Sequence, residues 1–157
     1  FACEWRMDEA LEELIPTGEI DPLIVVGIAN GQGSRCFEYT PWFDSGVGCG
    51  GGGDSYLQTV RDVLIPEVDR RYRTKTGPEH TYIGGSSLGG LISVYAGYEY
   101  DETWGRVAGV SPSYWFADHR MFEYAQAQPM PDLAKLYQDM GDGEGGSADE
   151  EIGRAHV

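Results

Sequence analysis

Apolar residues recur at helical spacing near the start of the chain: Trp5, Met7, Leu11, Leu14 and Ile15 fall on one helix face. Pro16-Thr17-Gly18 predicts where that helix stops. Pro22 then leads into Leu23-Ile24-Val25-Val26-Gly27-Ile28, an unbroken apolar run rich in β-branched residues. Such a run predicts a strand buried on both faces, as in a parallel sheet. Residues 29–54 predict a long loop, because six of the nine residues from 46 to 54 are Gly and hold no regular structure by themselves. A loop of that length inside a compact domain is as a rule functional or mobile. Asp54 suits the N-cap of the following helix, whose apolar stripe is Leu57, Val60, Leu64 and Val68. Pro66 is expected to bend that helix or to end its first half.

The second half alternates short apolar strands with helices. Thr81-Tyr82-Ile83-Gly84 predicts a strand, and residues 88–98 the helix after it. Arg106-Val107-Ala108-Gly109-Val110 predicts another strand, residues 122–127 a short helix, and Lys135-Leu136-Tyr137 a fourth strand. Residues 138–151 carry six acids and no base, after which the pattern turns helical again. Alternation of this kind argues for an α/β domain, a mostly parallel central sheet with helices on both faces. No internal repeat is present.

Composition narrows the function class. At 157 residues, 41% apolar and 24% charged, the chain suits one domain with a real core. Its longest apolar run, residues 23–28, is far too short to cross a bilayer. The formal net charge of −15 repels phosphate backbones and anionic membranes, so nucleic-acid and membrane partners are disfavoured. Cys3, Cys36 and Cys49 are odd in number and form no CxxC pair, which suggests neither a disulfide framework nor a zinc site. No metal-ligand spacing occurs.

The stretch Ile83-Gly84-Gly85-Ser86-Ser87-Leu88-Gly89-Gly90-Leu91 stands where a strand gives way to a helix. In that context Gly85-Ser86-Ser87-Leu88-Gly89 fits a G-x-S-x-G nucleophile turn. The turn pushes the Ser87 hydroxyl out toward substrate, and close backbone approach requires small neighbours two residues away. Gly85 and Gly89 meet that requirement, and Gly90 adds clearance. Ser86 is the rival serine, but Leu88 would occupy one of its small-residue positions. The free N–H of Leu88 at the helix start is the expected oxyanion donor. Two other readings of the glycines are tight packing alone and a phosphate cradle. The phosphate reading lacks the Lys-Ser/Thr ending of a P-loop, and no G-x-G-x-x-G occurs.

These residues, taken with others along the chain, resemble an esterase family of the α/β-hydrolase fold, the one that includes esterase D, enterochelin (siderophore) esterases and feruloyl esterase domains. The resemblance runs through Glu4-Trp5-Arg6-Met7-Asp8, the apolar run at 23–28, Glu38-Tyr39-Thr40-Pro41-Trp42 and Ile65-Pro66-Glu67-Val68-Asp69. It continues in the glycine turn and in Ser111-Pro112-Ser113-Tyr114-Trp115. It implies a three-layer α/β-hydrolase sandwich and a Ser-acid-His triad in that chain order, with Ser87 as nucleophile. The family's Gly-x-x-Asp/Glu setting after a late strand places Glu144 at the acid, with Asp142 as runner-up in the same loop. For either acid the alternative is an ordinary solvated loop carboxylate.

The histidine that serves as base should follow the acid. His80 precedes the nucleophile strand, His119 precedes the acid, and His156 falls in the helix expected after the acid loop. The chain therefore reads as one partial hydrolase domain, 1–157, truncated at both ends, with the base and a second oxyanion donor outside it. Alone, such a chain is expected to hydrolyse nothing. Loops that follow strands border the site in open α/β sheets, so Asn30, Tyr39, Trp42, Tyr114 and Trp115 are candidate lining residues, or else core and loop anchors. The expected function is carboxylic ester hydrolysis through an acyl-enzyme on Ser87, on a small-molecule ester: a phenolic ester, an acetylated sugar or a siderophore lactone. That chemistry requires no metal or organic cofactor. An acyltransferase and a binding-only protein on the same fold are the alternatives. Composition selects neither a compartment nor an oligomeric state.

Overall fold

The computed structural model describes residues 5–133 and 135–141. Helix α1 spans Met7–Thr17 and ends as its sequence demands, with Gly18 in the left-handed conformation, φ 76°, donating back to Ile15 and Leu14. A short helix α2, Arg35–Glu38, comes after it. A two-residue hairpin comes next, β1 (Phe43–Asp44) antiparallel to β2 (Cys49–Gly50). Helix α3 (Gly53–Thr59) runs through a π-helical turn at Val60–Leu64 into α4 (Ile65–Arg71). In that turn the Ile65 N–H reaches back to the Val60 carbonyl, one residue beyond the α-helical rule. Pro66, which lacks an N–H, sits just after it at the start of α4, the disturbance expected of this proline.

The rest of the chain builds the main sheet: β3 (Tyr82–Ser87), helix α5 (Leu88–Glu99), β4 (Arg106–Pro112), helix α6 (Phe116–Ala127) and β5 (Lys135–Asp139). The strands lie in the order β3-β4-β5 and are parallel throughout, so each crossover is a βαβ unit. This is the α/β architecture that the alternating pattern predicts. Helix α5 is apolar on almost all sides and is the centre of the core, with Leu91, Ile92, Val94, Tyr95 and Ala96 all at 5% exposure or less. Leu57, Trp104, Val107, Phe116 and Met121 close around it.

Four expectations need correction. Residues 23–28 form no strand, and Leu23, Ile24, Val25, Val26 and Ile28 are 38–48% exposed. Apolar, β-branched composition sets how a segment would bury itself, but a strand exists only through a neighbour's hydrogen bonds, and no described strand pairs with this segment. Instead residues 24–27 line a groove of about 430 Å³ with Leu64, Val68, Arg71 and Tyr72. The loop at 29–54 is not structureless, since it holds α2, the hairpin and the first residues of α3. Asp54 does not cap α3. Gly52 does, and the Asp54 carboxylate accepts a hydrogen bond from the Tyr95 hydroxyl at 2.9 Å. The partner that claims Asp54 lies 41 residues away and is invisible to local pattern.

The fourth correction concerns the cysteines. Cys36 and Cys49 form a disulfide, with Cα atoms 6.0 Å apart, tying α2 to β2. The hairpin doubles back at residues 45–48 and brings two cysteines thirteen positions apart into register. Thr40, fully buried, organises the same loop. Its hydroxyl donates to the Cys36 carbonyl, and its own carbonyl accepts from Gly51 and Gly53. Gly50, at φ 111°, is obligatory here, because a Cβ would stand 2.2 Å from the Trp42 carbonyl oxygen.

Replacing Cys36 and Cys49 together by Ser is expected to lower the unfolding free energy by about 3 kcal/mol, the loop-closure value for a ring of this size. Denaturant titration checks this, and thiol reduction of the wild type should give the same shift.

Candidate active site

Ser87 is the last residue of β3 and the N-cap of α5, at φ 57°, ψ −125°. An L-residue in that region carries about 1–3 kcal/mol of backbone strain. The strain is held by the two elements it joins: β3 is hydrogen-bonded to β4, and α5 is buried in the core. The Ser87 side chain is exposed, whereas Ser86, paired with Val110, is half-buried. The glycines around the turn divide by role. A Cβ on Gly85 would meet the Gly89 carbonyl oxygen at 2.5 Å, and one on Gly90 would meet the Pro112 Cα at 3.1 Å. A Cβ on Gly89 would meet nothing within 4 Å. Strand and helix therefore touch through Gly85, and helix and β4 through Gly90. Gly89 contributes the backbone against which Gly85 must fit.

Helix α5 starts at Leu88, so its first N–H groups have no intrahelical acceptor, and the first of them directly follows Ser87, the N-cap. Such a terminus favours negative charge, which is the requirement of an oxyanion donor. At the same edge of the sheet β4 ends in an irregularity. Ser86 pairs with Val110, but Ser87 pairs with Pro112, leaving Ser111 as an extra residue at φ 44°. The Asp139 carboxylate, at the end of β5, accepts from the Ser111 N–H at 3.1 Å. Past the bulge, Ser113 turns back onto Ser87: its N–H donates to the Ser87 carbonyl at 3.1 Å, and the two hydroxyl oxygens are also 3.1 Å apart. The sequence offered only a faint signal for Ser113, its place in Ser111-Pro112-Ser113-Tyr114-Trp115.

Glu144, Asp142 and His156 lie outside the described residues. The strand that leads to the first two, β5, ends on the same edge as Ser87 and two strands away, about 10 Å by ordinary strand spacing. His80 sits in a short turn before β3, at the opposite end of that strand from Ser87, 3.6 Å from Glu79. His119 lies in α6 with its ring stacked on Phe122, centroids 6.0 Å apart.

The five candidate lining residues separate. Trp115 is half exposed, two positions after Ser113. Tyr114 is a core side chain at 4% exposure; its hydroxyl bonds to Gln138, and burial pushes that hydroxyl's pKa up. Trp42 packs against Tyr95 and Tyr124 with the Arg120 guanidinium over its ring. Tyr39 packs edge-on against Tyr56, and Asn30 accepts from the Gln32 N–H in a local turn. Adjacent side chains of the motif thus point apart, which periodicity alone does not decide for an irregular stretch.

Asp44, on β1, ties the hairpin to this region. One carboxylate oxygen accepts from Gly46 and Val47, the other from the Ala117 N–H at 2.8 Å. Ala117, Asp118 and His119 all have positive φ, a left-handed turn that costs roughly 1–2 kcal/mol per residue. The Ala117 hydrogen bond, then that of Val47, holds the Asp44 carboxyl below its ordinary pKa.

The Putative esterase family model matches residues 1–153. The chain is 29% identical over 142 residues to Uncharacterized protein YbbA of Bacillus subtilis (strain 168), spanning 87% of this chain and 56% of that protein. It is 37% identical over 62 residues to the iron(III) enterobactin esterase of Dickeya dadantii (strain 3937), spanning 40% of this chain and 14% of that enzyme. Among solved structures it superposes on the enterobactin esterase FES from Shigella flexneri with a TM-score of 0.76 at 20% identity, over 98% of this chain and 39% of that one. For the BES protein from Bacillus cereus the TM-score is 0.62 at 14% identity, over 93% and 74%. At these identities the superpositions show the fold. The chain spans about half the length of YbbA and a smaller share of the enterobactin esterases.

Two outcomes are expected of this geometry. Gly85→Ala should destabilise by about 1–3 kcal/mol, an overpacking cost. Gly89→Ala should leave the melting temperature unchanged or raised, since Ala is the better helix former; thermal unfolding of the two variants separates them. For Asp44, whose folded pKa is depressed, the tie to Ala117 is fully present above the ordinary value of 3.8 and is lost as pH falls through the lower folded value. Amide exchange at Ala117 read against pH should lose protection only below that ordinary value, and Asp44→Asn should remove the pH dependence.

Proposed function

The chain belongs to the Putative esterase family, and from that premise we propose that it carries the nucleophile of a serine carboxylic ester hydrolase. The observation that supports this reading most directly is Ser87 itself. It is an exposed residue on a strained backbone at the start of a buried helix, whose first N–H groups lack intrahelical acceptors. In this reading the Ser87 oxygen attacks the ester carbonyl carbon as its proton passes to a histidine base. The carbonyl oxygen takes the negative charge facing the Leu88 N–H. The base then protonates the departing alcohol, leaving an acyl-enzyme that water hydrolyses. Glu144 orients the base, with Asp142 as the alternative acid.

For substrate we propose a siderophore-type ester. Similarity to an iron(III) enterobactin esterase in sequence, and to FES and the siderophore hydrolase EstA from Aspergillus nidulans in fold, supports that class. Trp115, half exposed and two positions after Ser113 in the chain, suits contact with an aromatic acyl group.

A fluorophosphonate probe applied to the full-length protein should label Ser87 alone. Ser87→Ala should abolish labelling and lower ester turnover on the order of a thousandfold or more, whereas Ser86→Ala keeps both. Turnover of a siderophore lactone should exceed that of an acetylated sugar. Labelling at another residue, or undiminished turnover by Ser87→Ala, would sink the proposal.

A further inference from the structure

We infer that Ser113 is a positioning residue for the Ser87 hydroxyl; the inference rests on the reading of Ser87 as nucleophile. The strained backbone of Ser87 fixes where its Cβ points, but it does not choose among the three staggered positions of the hydroxyl. Ser113 chooses one. Its oxygen lies 3.1 Å from the Ser87 oxygen, and its N–H holds the Ser87 carbonyl, so the two residues are joined through both backbone and side chain. Ser113 is only 4% exposed, and a buried hydroxyl left without a partner is costly, which fixes the contact from its side as well.

The contact depends on the bulge. In uninterrupted parallel register Ser111 would stand opposite Ser87, and Ser113 would lie farther along the edge. The extra residue moves Pro112 into that position and swings Ser113 over the nucleophile, while Asp139 clamps the Ser111 N–H from the third strand. A left-handed, non-glycine bulge residue held by a carboxylate on the next strand is a device for aiming the residues C-terminal to it, here Ser113.

During attack the proton balance leaves Ser113 unchanged. The Ser87 proton goes to the histidine base, the new bond forms between the Ser87 oxygen and the acyl carbon, and the carbonyl electron pair moves to the oxyanion. As its proton leaves, the Ser87 oxygen can only accept, so Ser113 is the donor at that moment and keeps its own proton. Its contribution is orientation: the hydroxyl is held where the base and the carbonyl carbon can both reach it.

The test compares Ser113→Ala and Ser113→Thr with wild type in the full-length protein. Fluorophosphonate labelling rate, p-nitrophenyl acetate kinetics and melting temperature are read together. Ser113→Ala should label and turn over about tenfold more slowly, the value of one hydrogen bond. Its loss should fall on kcat with KM within about twofold, and the melting temperature should stay near wild type. Ser113→Thr, which keeps the hydroxyl, should recover most of the rate. Wild-type rates in Ser113→Ala overturn the inference and leave the nucleophile assignment standing. Equal loss of rate and of melting temperature in both variants also overturns it, because packing would then be the cause. Absence of any label on wild-type Ser87 removes the nucleophile and this role together.

Discussion

The close approach of β3 and α5 at Ser87 is the constraint on which the rest of the site depends. Two elements that would ordinarily be separated by side chains meet at Gly85 and Gly89, and the residue between them is forced to positive φ. Nothing local rewards that conformation. It persists because α5 is buried on nearly all sides and β3 is locked to β4, so relaxing the turn would mean dragging a core helix off the sheet. The same rigidity presents a free helix terminus and a hydroxyl at one point.

The second strand of the sheet repeats the device. Beyond Val110, β4 uses a bulge at Ser111 where β3 uses a turn at Ser87, and the carboxylate of Asp139 on β5 stabilises the bulge. Three neighbouring strands therefore end at a common edge, each contributing one polar group: the hydroxyls of Ser87 and Ser113, and Asp139. Parallel topology requires this convergence, since all carboxyl ends lie on one side, where open α/β sheets hold their ligands.

The glycine-rich loop is drawn into the same region by long-range ties. The Cys36–Cys49 disulfide and buried Thr40 give residues 36–53 a fixed shape, and Asp44 carries that shape to Ala117, four residues after Ser113. A segment whose composition reads as mobile is thereby a wall built against the strained start of α6.

By itself the sequence determined the elements whose causes are local. The alternating strands and helices after residue 80, the end of α1 at Gly18, the disturbance near Pro66 and the strand–Ser87–helix turn all arise from spacing, from proline's missing N–H and from glycine's missing Cβ. Tertiary structure decided everything that depends on a distant partner. Residues 23–28 are apolar enough for a buried strand, yet form none, because pairing is a property of two segments. Asp54 leaves its cap position for Tyr95, Cys36 finds Cys49, and Tyr114 turns into the core while its neighbour Ser113 faces Ser87. These choices are settled by free energies of contact between residues far apart in the chain, and no local window contains both members of the pair.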